Sequence, residues 1–365
     1  MEEENKDHIA FKITPELVEN VKNLIDSGYD NVITDQLNEY HYADIAEILE
    51  ELTFEQSIYI IKLLDSEKTS DILTELDEDV REKILESLSA KEIAKEIEEL
   101  DSDDAADIIA ELPEERQEVV ISKIEDEEHK ADIQELLSYD EDSAGGLMAK
   151  ELVKVNENWT VTRCVREMRA QAENVTRVHS IYVVDKEEKL IGRLSLKDLL
   201  VAPDSAQISS IYIPKVDSVH VDDEDEEIAK IMQKYDLEAI PVVDDDNVLL
   251  GRITIDDIVD VIKEEAEKDY QLAAGITHDV EASDSILELT RARLPWLFLG
   301  LIGGIGAALI MGDFEEMLQD HAILFFFTPL IAAMAGNVGV QSSAIIVQGL
   351  ANDDVKGSVN NRLIK

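Results

Sequence analysis

The chain has 365 residues, with 83 acidic and 33 basic side chains, a formal charge of −50 and a single cysteine. Such a surface repels nucleic acid and anionic lipid and concentrates cations, while a lone Cys164 excludes an internal disulfide and any cysteine-built metal cluster. The charge is uneven: residues 291–365 hold only six acids and five bases, so nearly all of the excess lies upstream. By composition alone this is a solvated or halotolerant surface. The opening MEEENKDHIAFK lacks the basic-then-apolar pattern of a secretory signal, which places the N-terminal part in the cytoplasm.

Residues 1–138 carry an internal repeat. ILEEL (48–52), IIKLL (60–64), ILTEL (72–76), ILESL (84–88), EIEEL (96–100) and IIAEL (108–112) follow one another at a constant interval. Each supplies aliphatic residues at helical spacing, and the intervening TFEQ, DEDV, DSDD and PEER read as turns with N-cap residues. The interval is that of a short helix and its turn, about 12 residues, and no such helix can bury its apolar face alone, so the segment reads as an all-α superhelical solenoid.

The period changes over 139–265. SIYVVDKEEKLIGRLSLKDLL (180–200) recurs 59 positions later as AIPVVDDDNVLLGRITIDDIV (239–259), with Asp185/Asp244, Gly192/Gly251, Arg193/Arg252 and Asp198/Asp257 coinciding. With the helix preceding each copy, the pattern is a tandem pair of β-α-β-β-α units, and these resemble CBS domains, which pair into one pseudo-symmetric α/β module. The division reads 139–202 for the first unit and 203–265 for the second.

Residues 266–292 read as a helical connector. Two apolar runs follow within 293–365: residues 294–312, without a charge, and 322–350, long enough to tilt or bend, with Pro329 available for a kink. The acidic DFEEMLQDH lies between them, Arg291 and Arg293 precede the first, and Lys356, Arg362 and Lys365 follow the second. The positive-inside rule then puts both termini in the cytoplasm. His321 reads as an interfacial residue. The polar stretch GNVGVQSS (336–343) inside the second span is unusual, because polar groups at membrane depth are costly and mark a substrate path.

Three acidic stretches stand out: LDSDDAADII (100–109), where Asp103 and Asp107 share a helix face; VDDEDEEIAKIMQKYD (221–236); and IDDIVDVIKEEAEKD (255–269), where Asp257, Asp260 and Glu264 recur at i, i+3/4 and Glu265 pairs with Asp269. Like charges at that spacing repel, and a hard divalent cation would offset the repulsion. Spacing alone leaves a solvated face and a cation site equally open. Each CBS-like copy also carries G-x-x-[ST]-x-x-D, Gly192-Ser195-Asp198 and Gly251-Thr254-Asp257. In CBS modules that bind adenine nucleotides the matching aspartate holds the ribose, so Ser195 and Asp198 are candidate ATP contacts; the same residues also serve as helix caps. The acid around the second copy makes it the poorer candidate. No nucleophile elbow or Walker loop is present, and the reading is of a non-enzyme.

The order of helical repeats, YDEDSAGGLM (139–148), paired CBS units, connector and a first span starting RLPWL resembles the MgtE family of magnesium transporters or channels over essentially the whole chain. The resemblance implies a multidomain membrane protein of the plasma membrane. Its members are homodimers through the CBS and transmembrane parts, with cytoplasmic domains that sense Mg²⁺ and close the pore through a connecting plug helix. Carried over, it implies Mg²⁺ ligands at Asp103, Asp107, Gly146 (through its carbonyl), Glu224, Glu226, Asp236, Asp257, Asp260, Glu265 and Asp269. It further implies a bend in a pore-lining second span, with Gly336, Asn337, Gly339 and Gln341 along the pore. The family pattern there is closer to G-G-N-x-G-N-Q-S; this chain has Ala335 and Val340 instead. Family members have five spans, a later one supplying the pore aspartate, so a fragment of a longer protein is expected. The rival readings are a membrane-tethered adenine-nucleotide sensor or scaffold, and a channel for another cation.

Overall fold

A computed structural model of the chain describes residues 12–172, 175, 177–276, 280, 285–314 and 322–351. It divides into two compact units after Ile258.

The first unit begins with ten short helices: α1 (Pro15–Ser27), α2 (Asp30–Leu37), α3 (Tyr42–Glu50), α4 (Phe54–Ile61), α5 (Ser66–Glu75), α6 (Glu78–Ser87), α7 (Ala90–Ile97), α8 (Ser102–Ala110), α9 (Glu114–Ile121) and α10 (Glu127–Leu136). From α3 to α9 the helix starts keep the interval of the sequence repeat closely. The repeated aliphatic residues form the core: Ile48, Ile60, Ile72, Ile84 and Ile109 have no exposed surface. The turns carry the expected caps in part. Thr53 with Gln56 and Ser89 with Glu92 form reciprocal capping boxes, but Asp77 and Asp101 make no side-chain cap bond. Helices two apart stack (α3 on α5, α5 on α7, α7 on α9, α4 on α6, α8 on α10), giving two alternating rows. Long side chains reach back to tie the rows. Lys68 donates to the carbonyls of Leu37 and Tyr40, and Arg116 to those of Leu85 and Leu88. Each reaches back over the same two sequence separations, 31 and 28, so one device recurs in register with the repeat. Each fills carbonyls left open at a helix C-terminus.

Two sheets follow. β1 (Val153–Asn156), α11 (Val161–Gln171), β2 (Ile181–Val184), β3 (Leu190–Leu194), α12 (Leu196–Val201) and β4 (Ile213–Pro214) make the first, in the order β1-β2-β3-β4. β5 (Val219–His220), α13 (Asp225–Tyr235), β6 (Ala239–Val243), β7 (Leu249–Thr254) and α14 (Ile255–Ala273) make the second, in the order β5-β6-β7. Each β-α-β-β-α pattern read from the repeat is present. Ile208 and β4 pack with the first sheet although the sequence division places them in the second unit, because Ile208 is buried among Val153, Val161 and Leu199. The two hairpins are built alike: Asp185 Oδ1 accepts from the Glu187 and Lys189 amides, and Asp244 Oδ1 from those of Asp246 and Val248. They also pair, Leu190 N–H to Asn247 O and Leu249 N–H to Glu188 O, around a shared core of Tyr182, Val184, Val243 and Leu249.

In the second unit the connector is not a helix of its own. Residues 266–273 continue α14, which stops at Ala273 just before Gly275, whose φ of 79° favours glycine. Residues 286–292 are the first turns of α15 (Ile286–Asp313). A short 3₁₀ turn (Ala322–Phe327) leads into α16 (Thr328–Ala351). α15 and α16 are long and apolar enough to cross a membrane, with mean hydropathy of 2.0 and 1.3 over their apolar windows. Pro329 lies in the first turn of α16, where its missing N–H breaks no helical bond, rather than at a kink. Residues 336–343, where a bend is expected, are helical throughout. Most of the acidic hairpin, His321, Lys356, Arg362 and Lys365 lie outside the described residues.

Candidate metal centre

The first acidic stretch forms α8. Ala105, Ala106, Ile108 and Ile109 are buried on one face, which leaves Asp103, Asp104 and Asp107 on the other. Across from them is the N-terminus of α14, where Asp257 accepts hydrogen bonds from the Thr254 amide (3.0 Å) and hydroxyl (2.8 Å). The charge of Asp257 acts on all three α8 aspartates. Burial, then the charge of Asp257, raises Asp103 well above the usual carboxylate range. The same two causes push Asp104 up to about 7. Burial with Glu141 and Asp257 pushes Asp107 up to about 7, against the opposing charge of Arg81. Asp257 rises to about 6, chiefly through burial and despite its bonds to Thr254. Asp104 and Asp107 are nonetheless open to water.

Among the described residues no three histidine, cysteine or carboxylate side chains form a ready-made chelate. The donor set is oxygen only, from several aspartates that repel one another. That fits a hard divalent cation, and Mg²⁺ in particular, which keeps several waters and takes few direct ligands. Sequence reasoning missed Asp104, Asp256 and Glu141. The first two adjoin predicted residues, but only the tertiary fold brings Asp256 to act on Asp104 and Glu141 on Asp107.

The remaining predicted ligands do not join this cluster as one set. Gly146 lies in a turn tied to the start of α13: Gly145 N–H donates to Val221 O, Ala144 N–H to Asp223 O, and Ser143 bridges Glu224. A side chain at Gly146 would meet the Asp140 carbonyl at 2.6 Å. Glu224 is beside that turn, but the Glu226 carboxylate accepts from Lys230 at 2.6 Å. Asp236 is the left-handed C-cap of α13, φ 51°, at the far end of the helix from Glu224, roughly 18 Å along the axis. Asp260 follows Asp257 by one turn of α14 and is exposed. Glu265 accepts from Lys268 at 3.0 Å, and Asp269 follows one turn on. In the first CBS copy Ser195 makes no side-chain cap bond and Asp198 is exposed; in the second, Thr254 and Asp257 are engaged with each other. Along α16, Asn337 and Gln341 are one turn apart on a common face, with Gly336 to its side and Gly339 on the opposite face.

Residues 40–142 match the MgtE intracellular N domain family, and residues 144–205 and 208–264 match the CBS domain family. The chain is similar to the magnesium transporter MgtE of Enterococcus faecalis, 40% identical over 62% of this chain and 50% of that protein. It is likewise similar to the magnesium transporter MgtE of Thermus thermophilus, 38% identical over 60% of this chain and 49% of that protein. The chain thus spans about half the length of these curated relatives. Among solved structures, the cytosolic domain of the Mg²⁺ channel MgtE in complex with ATP is 33% identical, with a TM-score of 0.62, over 67% of this chain and 99% of that one. Matched through its helical and CBS regions in sequence, and over nearly all of a known cytosolic domain in fold, the chain belongs to the MgtE family.

Proposed function

We propose that this chain carries the Mg²⁺-sensing part and two membrane helices of a Mg²⁺ transporter or channel, acting as a homodimer in the plasma membrane with its sensing domains in the cytoplasm. The observation that carries the reading is the set of facing carboxylates, Asp103, Asp104 and Asp107 of α8 against Asp257 of α14. With Mg²⁺ low, their repulsion favours separation of the helical region from the CBS pair. With Mg²⁺ high, hydrated ions between them offset the repulsion and favour the closed arrangement. A ligand bound preferentially to one arrangement shifts the population toward it. α14 continues from Asp257 without a break through Asp260, Glu265 and Asp269, and in this reading it is the element that carries the sensor's response toward the pore. Asn337 and Gln341 on α16 face the ion path, with Gly336 and Gly339 allowing close approach of a second helix. Exposed Leu196, Leu200 and Val201 on α12, and Ile255, Val259 and Ile262 along α14, supply apolar faces for the homodimer. Calorimetric titration of the chain in detergent with Mg²⁺, beside limited proteolysis, tests the reading. Binding coupled to slower cleavage supports it, and binding without any change in cleavage would sink it.

A second role at the same module is supported by the relative that holds ATP and by the Ser195–Asp198 motif. ATP would contact the first CBS copy through these residues, and Asp198→Ala is expected to abolish its binding while leaving the Mg²⁺ response in place.

A further inference from the structure

The N-terminus of α8 is capped from another part of the chain. Asp101, at the N-cap position, makes no cap bond of its own. Instead Glu151, in the segment leading to β1, accepts from both the Ser102 amide (3.1 Å) and the Ser102 hydroxyl (2.8 Å). The Lys150 amide donates to Ser102 Oγ at 2.9 Å. The same segment is fixed to β7: Ala149 and Arg252 exchange backbone hydrogen bonds of 2.8 and 2.9 Å. Arg252 closes the ring. Its Nε–H donates to the Glu151 carbonyl at 2.5 Å, and its Nη2 lies 3.5 Å from Asp101 Oδ2. Arg252 is only 5% exposed, and its Nη1 is buried without a hydrogen-bond partner. A guanidinium is costly to bury and is tolerated where anionic and carbonyl groups surround it. Here it is placed shortly before Ile255, where α14 begins, and its field reaches Asp257.

Both ends of the ring therefore lead directly into the facing carboxylates: Asp101 and Ser102 into Asp103, Asp104 and Asp107, and Arg252 into Asp256 and Asp257. We infer that the Asp101–Arg252–Glu151–Ser102 ring is a metal-independent clasp that holds α8 opposite the start of α14, so that Arg252 is a positioning residue that sets how much Mg²⁺ closes the sensor. The inference rests on the sensing reading above. The clasp opposes the repulsion with one fixed cation, and added Mg²⁺ has only to supply the remainder.

The test is limited proteolysis of the full chain in detergent, in EDTA and across a Mg²⁺ titration, for wild type, Arg252→Met and Asp101→Asn. Breaking one side of a buried charge pair is strongly destabilising, so the Mg²⁺ midpoint for protection is expected to rise by about tenfold or more in Arg252→Met. The plateau at saturating Mg²⁺ should be kept, which separates positioning from loss of fold. Asp101→Asn breaks the same contact but also removes a negative charge beside Asp103 and Asp104, so its midpoint is expected to shift less than that of Arg252→Met. In EDTA both variants should be cut faster than wild type. Variants that match wild type in EDTA and in midpoint would overturn the clasp. A wild-type chain whose cleavage ignores Mg²⁺ would overturn the sensing reading instead, and the EDTA comparison would still decide whether the clasp exists.

Discussion

At the scale of single residues, Asp257 has two duties that mutation must separate. Its charge acts on the α8 aspartates, and it also bonds Thr254 at the start of α14. Asp257→Ala is expected to weaken Mg²⁺-dependent protease protection severalfold, and also to cost about 1 kcal/mol of cap stability. Thr254→Val removes the hydroxyl bond alone, so a Mg²⁺ response that survives in Thr254→Val and fails in Asp257→Ala assigns the loss to the cation. The raised carboxylates give a second prediction. Asp104 and Asp107 at about 7, and Asp257 at about 6, all lie above their ordinary value near 3.8. The facing arrangement thus binds more protons than the separated one, and closure is increasingly penalised as pH rises from about 4 to about 7. In EDTA, protection should therefore increase as pH is lowered from 7.5 to 5, while saturating Mg²⁺ should flatten the profile. A flat profile in EDTA would contradict the facing geometry. The sequence made Asp103, Asp107 and Asp257 visible through helical spacing. Asp104 and Glu141 were hidden because their place beside the other acids depends on the tertiary fold. Two signals were there to be read and were not: Lys230 at i+4 from Glu226 and Lys268 at i+3 from Glu265, both of which engage those carboxylates.

Among the elements, the helical repeat was the most legible part, since every unit shows the same aliphatic spacing. The interactions that link its rows were not legible, because Lys68 and Arg116 bond backbone carbonyls, which leave no mark in the sequence of the acceptor. Arg116→Met leaves the Leu85 and Leu88 carbonyls without this donor and is expected to cost about 1–3 kcal/mol, read as a lower thermal midpoint. Lys68→Met should behave alike at the other end. An unchanged midpoint in both would mean that water replaces the clips without loss. Gly275 is a contrasting case: at φ 79°, an added Cβ would also fall 2.8 Å from the Trp296 ring. Gly275→Ala is expected to loosen the turn between α14 and α15, seen as faster cleavage near residue 276. The sequence suggested a single connecting helix here, because nothing in the local pattern of 266–292 announces that one glycine adopts a left-handed turn.

For the whole molecule, Mg²⁺ flux in proteoliposomes holding a full-length relative is expected to fall as Mg²⁺ rises on the side of the soluble domains. Asn337→Ala should reduce flux through the relative's equivalent position, while leaving the Mg²⁺ midpoint of proteolysis unchanged; a shift in that midpoint instead would place Asn337 in the sensor's coupling rather than the ion path. The order of parts was readable because each has its own pattern: a short helical repeat, then one long duplication, then uncharged runs. How those parts are tied was not, since the Arg252–Asp101 contact joins residues 151 positions apart. The two alternating rows of the helical region carry a further consequence, for how such a chain can change length over generations. Losing a single helix with its turn would swap the rows for everything downstream and strand the side chains that reach back 28 and 31 positions. Losing or gaining two successive helices would restore both. Homologues with longer or shorter helical regions should therefore differ by pairs of helices, so that insertion length in this region is expected to be an even multiple of the repeat.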